Sequence, residues 1–361
     1  MNPRVLFILK SRDDYGHNIQ HCNVRTRGHT EVSTGLLNSA TFVRDMLVDE
    51  GVESKLVVVT DNNDIDREVT AYRPTHVIIE ALWVVPEKFE ILHKLHPSVE
   101  WIIRFHSETP FIASEGIAMK WLHGYMKKKN VVIAANAPRF VDDISNVLRA
   151  AGYEDEEIEA RVRYLPNYYP VGDIVMPHHH GHKEAVSVGC FGAIRPLKNH
   201  LTQAIAALLF ARNIGKKLHF HINVGRVEMK GDPILHNIQG LFAGLEDEGH
   251  KLVMHQWMPH EEFVHMIRHN IEIGMQVTFS ETFNIVAADL ITNGVPTVVS
   301  KEVPWAVVGI ADPTSTNDIA SSLETAWNHP KFNVIGNTTN LMLYNHKTKA
   351  AWNRVFGKHH H

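Results

Sequence analysis

Glu281 and Asp289 stand eight residues apart in "SETFNIVAADLITNGVPTVVS" (280–300), followed by Gly294 and Pro296. With "ETFN" as the loop and "IVAADLITNG" as the helix, Glu281 stands at the helix entrance. Helical spacing would turn about 800° between the two acids, leaving them about 80° from eclipsed and about 12 Å apart. That separation suits two parts of one ligand better than one metal ion. The backbone N–H groups of Thr282, Phe283 and Asn284 would open such a helix and could carry an anion such as a diphosphate. The plainer alternative makes Glu281 a favourable helix-start charge and Asp289 a surface acid. The apolar context "IVAADLI" argues against it, because Asp is a poor mid-helix residue.

Three further segments carry chemistry of the same kind. In "GCFGAIRPLKNH", Gly192 is followed by Arg195 and Lys198 just before a helix, two cations suited to phosphates and to a departing diphosphate. The segment has neither the P-loop nor the GxGxxG pattern. His106 follows an apolar run in "RFHSETP", and Gly35 precedes a helix in "VSTGLLNS", where a ligand could approach the backbone. Other clusters read as structural. "DNNDID" (61–66) suits a cap or turn, and His265 and His269 share one helix face without a third ligand. "HHHGH" (178–182) reads as a solvated linker, and no metal site is expected.

These segments need strands that end where they begin. Apolar, β-branched runs supply them at 4–9, 54–60, 75–82, 100–106 and 130–136, and again at 185–194, 217–224, 250–257, 271–279 and 295–300. Amphipathic stretches lie between the runs, so the expected fold class is α/β: two parallel sheets covered by helices, in two Rossmann-like βαβ domains. A chain of 361 residues is long enough for two cores. Proline-rich residues 164–185 read as the linker. The expected division is 1–175, 176–335, a C-terminal helix at 336–358 packing back toward the first domain, and a tag remnant at 359–361.

Composition narrows the partners. The chain is 44% hydrophobic and 21% charged, with a formal net charge of −4, so there is no global electrostatic case for nucleic acid or membrane. Cys22 and Cys190 have no metal-type spacing and suit a reducing cytoplasm. The N-terminal apolar run is too short for a signal peptide, and no membrane span is expected.

Taken in combination, these segments resemble the retaining GT-B glycosyltransferases. Residues 280–300 are similar to that family's donor motif, E-x7-E followed by G-x-P, with Asp289 in place of the second Glu and Asn284 in place of a frequent glycine. Gly192 and Lys198 keep the spacing of the family's G-R-x4-K loop. Ala193 takes the arginine position, and Arg195 is expected to substitute. "YLPNYYP" is similar to a P-N segment before the interdomain linker, and His106 and Gly35 match first-domain features. The resemblance implies the GT-B architecture, two Rossmann-like domains facing across a cleft, and transfer of a sugar from a nucleotide-diphosphate donor, UDP-linked, with no obligatory cofactor or divalent ion. It implies catalytic roles for His106, Glu281, Lys198 and Arg195. The donor-binding set would be Gly35, Gly192, Arg195, Lys198, Glu281, Thr282, Phe283, Asn284, Ile285 and Asp289, with Asp289 on the ribose and Glu281 on the sugar.

"STGLLNSATFV", "HVIIEALWVVPEKFE" and "SETFNIVAADL" also resemble transferases encoded by large tailed bacteriophages. This implies a location in the host cytoplasm and, as leading acceptor, a hydroxymethylated base in double-stranded DNA. Arg12, Arg25 and Arg27 in a long polar loop, with Lys127, Lys128 and Lys129, are the basic residues that could meet its phosphates. A solvated lysine run at a helix end is the plain alternative. A glycan, lipid or small molecule as acceptor, a nucleotide-sugar epimerase, and a non-catalytic glycan- or DNA-binding module are the competing readings.

Overall fold

The computed structural model describes residues 2–11, 35–178 and 183–357. Arg12, Arg25, Arg27 and most of the "HHHGH" run lie outside them. The chain divides into two compact units, whose described residues are 2–11, 35–170 and 345–357 in the first and 171–178 and 183–344 in the second. No described helix is long and apolar enough to cross a membrane.

The first unit is built on a six-stranded sheet of β1 (Arg4–Lys10), β2 (Glu53–Val59), β3 (His76–Glu80), β4 (Glu100–Phe105), β5 (Val131–Ala135) and β6 (Val162–Tyr164). Its order is β2-β1-β3-β4-β5-β6, every pair parallel. Side chains alternate between two cores, as period-2 geometry requires. Leu6, Ile8, Val77, Ile79, Trp101 and Ile103 face one, and Val5, Phe7, Ile78, Ile102 and Val132 the other. Because both faces are covered, the strands read as unbroken apolar runs. Helix Gly35–Asp49 covers the second core through Val43, Met46 and Leu47, and Trp352 and Phe356 from the last turns of helix Pro330–Phe356 complete it.

The second unit has β7 (Ala185–Gly189), β8 (Lys217–Asn223), β9 (Lys251–His255), β10 (Ile273–Gln276) and β11 (Thr297–Val299) in the order β11-β10-β7-β8-β9, again parallel throughout. Helices His200–Asn213 and Thr316–Asn328 pack together over one core, contributing Ala204, Ala207 and Phe210 and Ile319, Ala320 and Leu323.

Two expectations change. Strand β6, "VRY", was not foreseen, since three residues with one apolar side chain leave no pattern. The supposed linker also begins too early, because Leu165, Asn167 and Tyr169 are buried in the first unit. There, Leu165 accepts from Arg104 Nε at 2.9 Å and Pro166 from Trp352 Nε1 at 2.8 Å, both through their carbonyls.

Candidate functional site

In open parallel sheets the crevice for a ligand lies at the carboxyl edge where strand order reverses. In the second unit the chain runs β7, β8, β9 in one direction and then crosses to β10 on the other side of β7. The reversal lies between β7 and β10. The loop after β7 carries Lys198 and the loop after β10 carries Glu281, and the two side chains form an ion pair there.

A chain of amides holds this pair. Gln276, the last residue of β10, donates Nε2–H to Phe191 O at 2.7 Å, and its Oε1 accepts from Asn284 Nδ2 at 3.0 Å. The same Asn284 nitrogen lies 3.1 Å from Glu281 Oε1. Asn284 adopts the left-handed conformation, φ 67°, which explains why Asn can stand where a glycine is frequent. Its Oδ1 caps the following helix by accepting from Ala287 N–H at 2.8 Å. The backbone of Lys198 is pinned too: Gln203 donates to its carbonyl at 2.8 Å while accepting from Val277 N–H at 2.7 Å.

That cap corrects the helical geometry expected for the two acids. The helix runs Ile285–Thr292, so Glu281 sits in the loop ahead of it and Asp289 one turn inside. Thr282, Phe283 and Asn284 likewise precede the helix. Ile285 is its first residue. Asp289 is buried, with its side chain 3% exposed, and His260 Nε2 lies 2.8 Å from its Oδ1. His260 heads helix His260–Asn270 after β9, and the bond to Asp289 raises its pKa above the ordinary histidine value.

Gly192 has φ 112°, and its N–H donates to Asn223 Oδ1 at 2.9 Å. Arg195 Nη1 is 3.4 Å from Glu228 Oε2, a residue of the loop after β8. Burial depresses the Lys198 ammonium; Glu281 opposes that shift, and Arg195 and Arg226 reinforce it. Arg195 and Arg226 share Glu228, and both charges act on Lys198.

In the first unit His106 follows β4, and its Nε2 bonds the Glu80 carboxylate at the end of β3. Glu80 is fully buried and also receives Arg104 Nη1 at 3.0 and 3.2 Å. Burial by itself would raise Glu80, but Arg104 and His106 outweigh it and hold the carboxyl below its ordinary range. Burial lowers the His106 pKa, Glu80 pulls it up and the Arg104 charge pushes it down again; the net shift is downward, so the ring is neutral near pH 7. A carboxylate only accepts, so Nε2 carries the proton and Nδ1 is the acceptor. Gly35 opens the helix that follows β1, at the same carboxyl edge; a Cβ there would meet nothing within 4 Å.

Lys127, Lys128 and Lys129 are not brought to that edge. They precede β5 and so lie at the amino edge of the sheet, where Lys128 pairs with Glu90. Asp61 and Asp64 cap the turn ahead of helix Ile65–Tyr72: Asn63 N–H donates to Asp61 at 2.6 Å and Thr60 N–H to Asp64 at 3.1 Å. Among the described residues no group of three or more His, Cys, Asp or Glu could hold a metal ion. Glu80, Arg104, Asn167, Arg226, Glu228 and His260 join these clusters without being among the candidates in the sequence. Only His260 offered a signal, as a polar residue opening a helix after a strand.

No family model matches the chain, and no curated protein does. Solved structures do. The structure of OtsA without ligand is similar over 98% of this chain and 99% of its own at 9% identity, TM-score 0.66. Sucrose-phosphate synthase from Thermosynechococcus elongatus is similar over 98% of both chains at 11% identity, TM-score 0.60. A mutant form of S. aureus TarM, in a complex that contains UDP, is similar over 78% of this chain and 55% of its own at 12% identity, TM-score 0.56. At such identities the likeness is one of fold: this chain has the α/β GT-B architecture, two units each built on a parallel sheet.

Proposed function

We propose that the protein is a glycosyltransferase that moves a sugar from a nucleotide-diphosphate donor, UDP-linked, to an acceptor hydroxyl with retention of configuration. The observation that carries this reading is the Lys198–Glu281 pair, braced by Asn284 and Gln276 at the strand-order reversal of the second sheet. It is a cation and a carboxylate fixed side by side where a ligand is expected. The GT-B fold and the UDP in the TarM complex support a UDP-linked donor.

In this reading Lys198 and Arg195 meet the diphosphate oxygens and neutralise the charge that develops as the bond from the anomeric carbon to the diphosphate breaks. Glu281 holds sugar hydroxyls, and Asp289 accepts from the ribose hydroxyls. The acceptor oxygen attacks from the face the diphosphate leaves, and its proton departs with the leaving phosphate. His106 meets sugar or acceptor through Nδ1. Charge neutralisation rests on side chains, so turnover is expected to persist with a chelator present.

For the acceptor we propose a hydroxymethylated base in duplex DNA. What supports it is the resemblance of three segments to phage-encoded transferases; the lysine run at the amino edge does not contribute. The test is a thermal-shift panel of nucleotide sugars, then mass spectrometry of acceptors including hydroxymethylated DNA, sugar phosphates and glycans. Stabilisation by one donor and a mass gain of one sugar on one acceptor is the expected result. Absence of nucleotide-sugar binding overturns the reading, and an epimerised donor without transfer replaces it with the epimerase. The anomeric configuration of the product, read by NMR, tests retention.

A further inference from the structure

The loop after β8, residues 224–231, is strapped to the loop after β7. Ile194 bridges Val227 in parallel register: Ile194 N–H donates to Arg226 O at 3.0 Å, and Glu228 N–H to Ile194 O at 2.9 Å. Close approach is built into the backbone. A Cβ on Gly231 would lie 2.1 Å from Ile194 O, and one on Gly225 would lie 2.9 Å from the backbone nitrogen of Trp257. These contacts extend the sheet beyond its carboxyl edge and present Arg226 and Glu228 to Arg195.

Glu228 is shared between the two arginines. Its Oε1 accepts from Arg226 Nε at 2.9 Å, and its Oε2 lies 3.4 Å from Arg195 Nη1. The Arg226 guanidinium stacks over the Trp257 ring, 4.9 Å from its centroid, which fixes the plane of the fork. Side chains of Arg195, Arg226 and Glu228 are 23%, 14% and 24% exposed, so an anion from solvent can reach them. Two guanidinium groups facing one carboxylate is also the geometry in which arginines grip phosphoryl oxygens.

We propose that Arg195 and Arg226 form a phosphoryl-binding pair beside Lys198, and that Glu228 is the internal anion a phosphoryl group displaces. The glycosyltransferase reading supplies the identity of the ligand, the donor diphosphate or a phosphate on the acceptor; binding of a phosphoryl group does not depend on it. Arg226 thereby supplies a second guanidinium to a loop that has Ala193 where the resembled family has arginine.

The experiment is calorimetric titration of the full chain with pyrophosphate, UDP and, in UDP-saturated protein, glucose 6-phosphate, on wild type, Arg226→Gln and Glu228→Gln. Arg226→Gln is expected to weaken phosphoryl binding about tenfold or more, as loss of a charge-assisted bond does. Glu228→Gln is expected to tighten it several-fold. Glu246→Gln, ahead of β9 at the opposite edge, controls for net charge and is expected to leave affinity unchanged. Opposite shifts at 226 and 228 support the proposal. An effect seen with UDP assigns the pair to the donor; one confined to glucose 6-phosphate assigns it to the acceptor. Affinities within twofold of wild type for every ligand, or shifts of the same sign in both variants, overturn it. Pyrophosphate binding that follows this pattern without nucleotide-sugar binding leaves the inference standing and removes the glycosyltransferase reading.

Discussion

Each unit carries a charged cluster at the carboxyl edge of its sheet, and the two differ in how they meet water. In the first unit Glu80 and Arg104 are 0% exposed, and Arg104 is bonded within the protein on all sides: Nε to Leu165 O, Nη1 to Glu80, Nη2 to Asn167 Oδ1 at 2.7 Å, with Trp352 beneath its plane. In the second unit Lys198, Glu281, Arg195, Glu228 and Arg226 all keep part of their side chains exposed. A sealed cluster has no partner to gain, so its role is to hold β3, β4 and the 165–167 segment together and to aim His106. An open cluster can exchange its internal partners for those of a ligand.

The sharpest way to break this contrast is to remove one charge from the sealed cluster. Arg104→Met leaves Glu80 buried without its main counter-charge and is expected to cost about 3–5 kcal/mol in unfolding free energy, measured by urea denaturation. A loss below about 1 kcal/mol would make the two clusters equivalent. In the open cluster the loss falls on activity. Glu281→Gln is expected to lower turnover about 100- to 1000-fold, the scale of removing one preorganised charged partner, with a smaller loss of stability than Arg104→Met because Lys198 keeps part of its side chain in water. A variant that loses stability while its folded fraction keeps full turnover would assign Glu281 a structural role.

His200 sharpens the contrast by pH. It is buried immediately after Lys198 and Asn199, neither ring nitrogen has a hydrogen-bond partner among the described residues, and burial together with Lys198 and Arg195 lowers its pKa to about 3. The unfolded chain binds a proton there below about pH 6.5, which the folded chain refuses until about pH 3. Stability from this residue is therefore complete above pH 6.5 and falls as the medium is acidified. His200→Leu removes that slope, so the variant gains on wild type as pH drops from 6.5 to 4. Parallel stability curves would show that His200 does not titrate on unfolding.

How much of this was legible in the sequence depended on the range of the contact. Strands buried on both faces announce themselves as apolar runs, and β1, β3, β4 and β5 were placed within a residue or two. Lys198 and Glu281 stand out in the sequence because each sits in a loop just beyond such a run, although nothing local says that they touch across 83 positions. Glu80 and Arg104 were passed over for the same reason: inside "HVIIEAL" and "WIIRFH" they look like strand residues until the 24-residue gap is closed. The helix from Ile285 was legible as an apolar run after the loop "ETFN", but the helical spacing assumed between Glu281 and Asp289 was not met, because Asn284 caps the helix from a left-handed backbone that spacing cannot reveal. Arg226 and Glu228 lay in a loop with no pattern, and only the strap to Ile194 gives them a place.

The smallest expected effect concerns the pair that belongs to neither extreme. Asp289 is nearly as buried as Glu80, yet its partner His260 is a quarter exposed, its side chain 26% accessible. The bond to Asp289 raises the His260 pKa, so the sign is opposite to that of His200. The folded protein holds the proton more tightly than the unfolded chain. The stabilisation is full below about pH 6.5 and disappears as pH rises through the raised value. His260→Gln should therefore be less stable than wild type at pH 6, with the gap closing as the medium is made alkaline. If nucleotide occupies Asp289 as proposed, saturating UDP should narrow the gap at pH 6 as well, because the ribose hydroxyls take up the carboxylate that His260 held. A gap independent of both pH and UDP would move this pair to the sealed class and leave Asp289 without a ligand role.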